Sequence, residues 1–169
     1  MRLTTYTDYA LRTLMYLAAH RDRLVTIQDI ATAHNIAKNH LTKVVHQLGQ
    51  MGVVESLRGR NGGLRLGCEP AQINIGAVVR RTEPDFYMAE CFDPLKNHCI
   101  LSSECILKDT LYRATAAYLA VLDGATLENL MATSGTAATT EAAFKSIPIR
   151  SPRMALEKSA PKTRTAKLV

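Results

Sequence analysis

The sequence predicts a mainly α-helical fold interrupted by one small β-hairpin. Three observations carry this. Apolar residues recur at helical spacing in several separate stretches. Two of those stretches are short and joined by a tight turn. A turn rich in glycine and arginine then sits between two strand-like runs. Together they describe a winged helix-turn-helix, and a further long apolar helix lies beyond it.

The elements follow in order. Thr5-Tyr6-Thr7-Asp8 fits a capping box and starts a helix near Tyr6. Its apolar positions, Tyr6, Ala10, Leu14, Leu17 and Ala18, carry it to about Ala19. A second box, Thr26-Ile27-Gln28-Asp29, opens a short helix that ends at His34-Asn35. The third helix begins near Lys38, turns Leu41, Val44, Val45 and Leu48 inward, and stops at Gly52. This pair forms a helix-turn-helix, and its second member is the reading helix. Val53 to Leu57 reads as a strand. Arg58-Gly59-Arg60-Asn61-Gly62-Gly63 reads as a turn and Leu64-Arg65-Leu66 as the returning strand. Residues 70–82 are expected to form one helix, with Ile75, Val78 and Val79 inward and Pro84 just beyond its end.

Residues 84–104 have no periodicity and contain two prolines, two cysteines and several acidic side chains. A loop of that length in a small domain is usually functional or disordered. Helical spacing returns from Cys105 to Leu122, through Ile106, Leu107, Leu111, Ala114, Tyr118 and Leu119. Little of the chain is left for this helix to pack on, so a second copy of the chain is its simplest partner. The organisation read from the sequence is therefore a winged helix-turn-helix over 1–82, a cysteine loop over 83–104, a dimerisation helix and short following helix over 105–131, and a basic tail over 132–169. The Thr, Ala, Ser, Pro and Lys content of the tail predicts disorder.

Charge divides along the same lines. The net charge is +6 overall, with residues 1–81 at +6, residues 82–133 at −5 and residues 134–169 at +5. A basic first half suits a polyanion. No apolar run is long enough to span a bilayer, and Met1-Arg2-Leu3-Thr4-Thr5 has no apolar signal region. A cytoplasmic protein with no membrane partner is expected. There is no nucleotide-binding glycine fingerprint and no catalytic constellation, so an enzyme is not expected.

Two groups of residues carry chemistry. On the reading helix, Asn39, His40, Thr42, Lys43 and Gln47 point outward, and Asn, Gln and Lys are suited to base edges or phosphate. Arg58, Arg60 and Asn61 form the wing tip, and Arg12 lies on the polar face of the first helix. These are the predicted contacts to double-stranded DNA. The second group is Cys91-x7-Cys99-x5-Cys105. Clustered thiols in a cytosolic chain point to metal or redox chemistry rather than disulfides. The spacing lacks the tight C-x2-C knuckle of a zinc finger, and thiolates suit iron–sulfur clusters. Spacing alone leaves a cluster, zinc and unligated thiols open. Three thiolates on a four-iron cluster would leave one position for an oxygen or nitrogen donor, with His34 and His98 among the possibilities. Cys68, just after the wing, reads as a small packing residue.

The runs Tyr6-Thr7-Asp8-Tyr9-Ala10-Leu11-Arg12, Asn39-His40-Leu41-Thr42-Lys43-Val44-Val45 and Arg58-Gly59-Arg60-Asn61-Gly62-Gly63-Leu64-Arg65-Leu66 resemble the NsrR family of nitric-oxide-sensing repressors. That family shares a superfamily with the iron–sulfur regulator IscR. The resemblance covers about residues 1–131. It implies a homodimeric transcription regulator that binds a palindromic operator and represses nitrosative-stress genes until nitric oxide arrives. It also implies one cluster per subunit on Cys91, Cys99 and Cys105, [4Fe-4S] in the first instance and [2Fe-2S] as the alternative. Asp8 matches the position from which some relatives supply a fourth ligand across the dimer. IscR-like proteins instead use a histidine three residues after the third cysteine, and Lys108 stands there. The alternative is a regulator of iron or cluster status. Two departures are visible: the x7 gap is longer than the family spacing, and Ala37 stands where a serine often caps the reading helix.

Overall fold

The structure is a computed structural model and describes residues 2–101 and 105–132. Its elements are α1 (Thr5–Ala19), α2 (Ile27–His34), α3 (Lys38–Gln50), β1 (Val54–Leu57), β2 (Gly63–Leu66), α4 (Ile75–Thr82), α5 (Ile106–Asp123) and α6 (Leu127–Ala132). The expected fold class, mainly α with a small hairpin, is what is found. The strands are antiparallel, with Val54 opposite Leu66 and Leu57 opposite Gly63. Val25 pairs with Leu64 through two backbone hydrogen bonds of 3.0 and 2.7 Å, which fastens the wing to the chain before α2. Among the described residues no helix is long and apolar enough to cross a membrane.

One core holds this together. Leu14 and Leu17 of α1, Ile30 of α2, and Leu41, Val44 and Leu48 of α3 are fully buried, and Val78 and Val79 of α4 join them. These are the inward positions that helical periodicity picks out. Leu127 of α6 returns to the same core and is also fully buried. It is fixed there by hydrogen bonds from Leu127 N–H to the Ile73 carbonyl (2.9 Å) and from Ile75 N–H to the Ala125 carbonyl (3.0 Å).

Two expectations are corrected. The stretch 70–82 is not one helix. A single 3-10 turn at Pro70–Gln72 precedes α4, and Ile73 between them is extended and buried. The break exists because the Ile73 carbonyl is committed to α6, so α4 restarts with Asn74 as its cap, its side chain accepting from Ala77 N–H at 2.8 Å. The cap of α1 also lies one residue earlier than the motif suggested. Thr4, not Thr5, accepts from Thr7 N–H, so Asp8 is not the capping carboxylate. At α2 the predicted box is present, with Thr26 and Asp29 bonded reciprocally.

Beyond α4 the packing thins. The stretch to α5 is irregular, with one 3-10 turn at Glu90–Phe92. No residue of α5 is buried, and Ile106 and Val121 are 84% and 74% exposed. The end of α5 is nevertheless anchored. The Arg80 guanidinium pairs with both oxygens of Asp123, and Asn74 Nδ2 donates to the Asp123 carbonyl at 2.6 Å. The predicted tail falls almost wholly on residues 133–169, which lie outside the described residues, as do residues 102–104.

Candidate functional site

The reading helix is presented by its neighbours. Its inner face is buried, which leaves Lys38, Asn39, His40, Thr42 and Lys43 exposed on the opposite face. Ala37 makes no side-chain cap. The helix is held instead from α1: Tyr6 Oη donates to the Lys43 carbonyl at 3.1 Å, and the Tyr9 ring meets the His40 ring edge-on at 6.2 Å. Burial raises the Tyr6 hydroxyl above the usual tyrosine range, which keeps it a donor. Gln47 differs from the rest of the predicted contacts. It is half-buried, and its amide nitrogen donates to the Arg81 carbonyl.

The wing projects Arg58, Arg60 and Asn61 into solvent, with Gly59 at φ +115° at the tip. A side chain there would be strained, so glycine sets the turn. Among the described residues Lys38, Lys43, Arg58 and Arg60 stand outside the ion pairs, while Arg65 is paired with Glu55 at 2.8 Å. Four unpaired cations on one helix and its neighbouring wing suit a phosphate backbone. Arg12, also predicted as a contact, is instead paired with Asp8, with Nε at 2.9 Å from Oδ2.

Asp8 and Arg12 line an open pocket of about 570 Å³ with Arg2, Tyr9 and His34. The Nε2 of His34 is buried there and has no hydrogen-bond partner among the described residues. Burial, with the Arg12 charge adding to it, holds the His34 ring below the ordinary histidine range, and Asp8 partly offsets this.

The three cysteines lie in and at the end of the irregular stretch before α5. Cys91 and Cys105 are half-buried, Cys99 is exposed, and all are free thiols. Cys105 caps α5 without a side-chain hydrogen bond. Among the described residues no three His, Cys, Asp or Glu side chains form a group that could hold a metal ion. Within the loop, Asp93 Oδ1 accepts from Leu95 N–H, Asn97 Oδ1 from Cys99 N–H, and Glu90 Oε1 from His98 N–H. Cys68 packs at the edge of the core, as expected of it.

A buried-backed reading helix beside a basic, glycine-tipped wing defines a winged-helix DNA-binding transcription regulator. The chain belongs to the Rrf2 family, described as iron-dependent transcriptional regulators, whose model matches residues 3–133. It is 55% identical over 132 residues to the HTH-type transcriptional regulator NsrR of Bacillus licheniformis, covering 78% of this chain and 92% of that protein. It is 56% identical over 132 residues to NsrR of Bacillus subtilis, covering 78% and 90%. Among solved structures it resembles CymR, the global cysteine regulator of B. subtilis, with a TM-score of 0.63 and 30% identity over 78% of this chain and 97% of that one. The T. potens IscR shares the fold, with a TM-score of 0.64 at 22% identity, covering 79% of this chain and 88% of that one.

One contact was not legible from sequence. Glu83 sits beside Pro84 and reads as the end of a helix, yet its carboxylate reaches Thr4 at the start of α1. Only a contact 79 residues apart in sequence could have revealed it.

Proposed function

We propose that this chain is a cytoplasmic, homodimeric repressor whose affinity for a palindromic operator is set by an iron–sulfur cluster and released by nitric oxide, turning on nitrosative-stress defence. The observation that carries this is the high identity to regulators named NsrR over nearly their whole length, joined to three free thiols placed between the winged domain and α5.

The donor set fits the group. Three thiols, none in a disulfide, are a soft ligand set of the kind that holds iron–sulfur clusters. Cys91, Cys99 and Cys105 would hold it, [4Fe-4S] being the first reading and [2Fe-2S] the alternative; either takes four ligands and leaves a place for a fourth donor. Bound, the cluster supplies iron that reacts with nitric oxide. Everything else falls to the chain. Leu95, His98 and Cys99 in this loop are bonded to side chains of the loop itself, and drawing the three cysteines together rearranges that loop. Asp8, from a second copy, is the proposed fourth ligand, and to serve it must leave Arg12. Asn39, His40, Lys43, Arg58, Arg60 and Asn61 contact DNA, with Gln47 tied back and Arg12 available once Asp8 is engaged. The exposed apolar positions of α5 meet their counterparts in the dimer.

A second reading is favoured by the family description as iron-dependent: the same machinery would report iron or cluster supply. Solution measurements separate the two. The anaerobic protein should carry iron and sulfide and bind a duplex selected by it from a random pool. Nitric oxide should abolish that binding. Equal binding by the cluster-free form, or indifference to nitric oxide with a response to iron chelation, would overturn the nitric oxide reading. Cys91→Ser, Cys99→Ser and Cys105→Ser should each lose iron, and Cys68→Ser should keep it.

A further inference from the structure

We infer that Glu83 is a positioning residue that transmits the state of the cysteine loop to the reading helix through the cap of α1; this rests on the cluster-dependent reading above. A helix start is normally closed by two reciprocal bonds: the cap side chain accepts from the third residue's N–H, and the third residue's carboxylate accepts from the cap N–H. In α1 only the first of these is local. Thr4 Oγ1 accepts from Thr7 N–H, but residue three is a threonine and cannot complete the box. The missing carboxylate comes from Glu83. Its Oε1 accepts from Thr4 N–H at 2.8 Å and from Thr4 Oγ1 at 3.1 Å. The box at the start of α1 is thus completed from a residue 79 positions away.

Glu83 is placed to couple rather than merely to staple. It terminates α4, where its own N–H donates to the Val79 carbonyl at 2.9 Å. It is followed by Pro84, which restricts the preceding residue to extended backbone and so stiffens the joint; Glu83 has ψ 139°. From Pro84 the chain runs directly into the loop that carries Cys91. Three elements meet at this point around a cavity of about 290 Å³: Leu3 and Thr4 before α1, Phe86 and Tyr87 of the loop, and Tyr118 of α5. On the other side, the first two turns of α1 grip the reading helix, through Tyr6 to the Lys43 carbonyl and through Tyr9 to His40. Gathering Cys91 toward the other two thiols displaces residues 84–92. Because the joint at Glu83–Pro84 is stiff, that displacement reaches Thr4, and α1 carries it to α3.

The experiment compares full-length wild type, Glu83→Gln, Glu83→Asp and Glu83→Ala. Each is measured cluster-loaded and cluster-free, against a duplex selected by the loaded wild type from a random pool. Iron, sulfide and the visible spectrum are recorded for each loaded protein. Coupling in allosteric proteins commonly amounts to about 5- to 150-fold in affinity. Glu83→Ala should keep its iron and its spectrum, yet the loaded and cluster-free forms should differ by less than about twofold. Glu83→Gln, which retains the acceptor oxygen, should keep most of the wild-type ratio. Glu83→Asp, which withdraws the carboxylate by one methylene, should fall between and serves where Glu83→Ala does not fold. A wild-type ratio surviving in Glu83→Ala or Glu83→Asp overturns the inference, as does a parallel loss of affinity in both forms. So does a Glu83→Gln ratio no better than that of Glu83→Ala. A wild type with equal affinity in its two forms would instead defeat the cluster-dependent reading itself.

Discussion

The two halves of the described chain are built to different standards. In α1 to α4 and the wing, every helix sends side chains into one closed core, and Leu14, Ile30, Leu41 and Val79 are out of contact with water. Among the described residues of the cysteine loop and α5 no apolar side chain is buried, and Leu95 and Ile100 are more than nine-tenths exposed. Both halves are rich in apolar residues, so composition does not explain the contrast. The first half finds its partners within the chain, whereas α5 presents apolar surface on a helix that packs against α4 by one side only. A helix of that kind is ordinarily completed by another surface. The difference separates the part that closes its own core from the part that leaves apolar surface open.

The contrast can be broken directly, and the largest effect lies in the well-packed half. Leu41→Ala leaves a cavity at a fully buried site in α3 and should cost about 2–5 kcal/mol in denaturant unfolding. Val121→Asp on α5 should change that unfolding transition by no more than about 0.5 kcal/mol per monomer, because the site faces solvent. It should instead shift the sedimentation of the protein toward the monomer. A large loss of monomer stability in Val121→Asp would mean that α5 is part of the same folding unit.

The joint between the halves gives a smaller effect. Gly76, near the start of α4, lies against the end of α5. A Cβ there would enter the Asp123 carboxylate and stand 2.9 Å from the Asp123 nitrogen. Gly76→Ala must push α5 away or break the Arg80–Asp123 clamp, and overpacking of this kind costs about 1–3 kcal/mol. Gly49→Ala is the control. It sits in α3 with nothing nearer than the Val54 carbonyl at 3.7 Å, so alanine should raise stability by about 0.5–1 kcal/mol. Thermal melts of the two variants should therefore move in opposite directions. A neutral Gly76→Ala would show that α5 is not tightly seated on α4.

The same contrast explains what could be read without coordinates. Helical spacing located α1, α3 and their buried faces because Leu14, Leu41 and Leu48 answer to a local period. The wing was legible from Gly59 and its flanking strands, since backbone geometry there demands glycine. The break at Ile73 was not legible, because it depends on a hydrogen bond to Leu127. Nor was the pairing of Arg12 with Asp8, because both residues also fit other partners. The largest failure of sequence reasoning is at Thr4, where the motif Thr5-x-x-Asp8 is locally sufficient yet the carboxylate in use is Glu83. Local rules succeed where the closing partner is nearby in sequence and fail where it is distant.

One spot in the well-packed half resembles the incomplete one. At the pocket beside α1, His34 keeps a buried ring nitrogen without a hydrogen-bond partner among the described residues, close to the Asp8–Arg12 pair. Desolvation is the first cause of its lowered pKa, the Arg12 charge the second, and the Asp8 charge opposes both. Following the His34 ring protons by NMR against pH should resolve the two charges. Arg12→Gln removes a repelling cation and should move the titration upward. Asp8→Asn removes an attracting anion and should move it further down. Each movement should be smaller than the depression that desolvation produces. Because the folded value lies below the unfolded one, the neutral ring's contribution to stability is complete above about pH 6.5 and is lost as pH falls from there toward the folded value. His34→Phe should flatten that part of the stability profile. If Arg12→Gln and Asp8→Asn left the His34 titration where it is, the pocket would be screened by water, and Asp8 would be as free as any surface carboxylate to leave Arg12 for another partner.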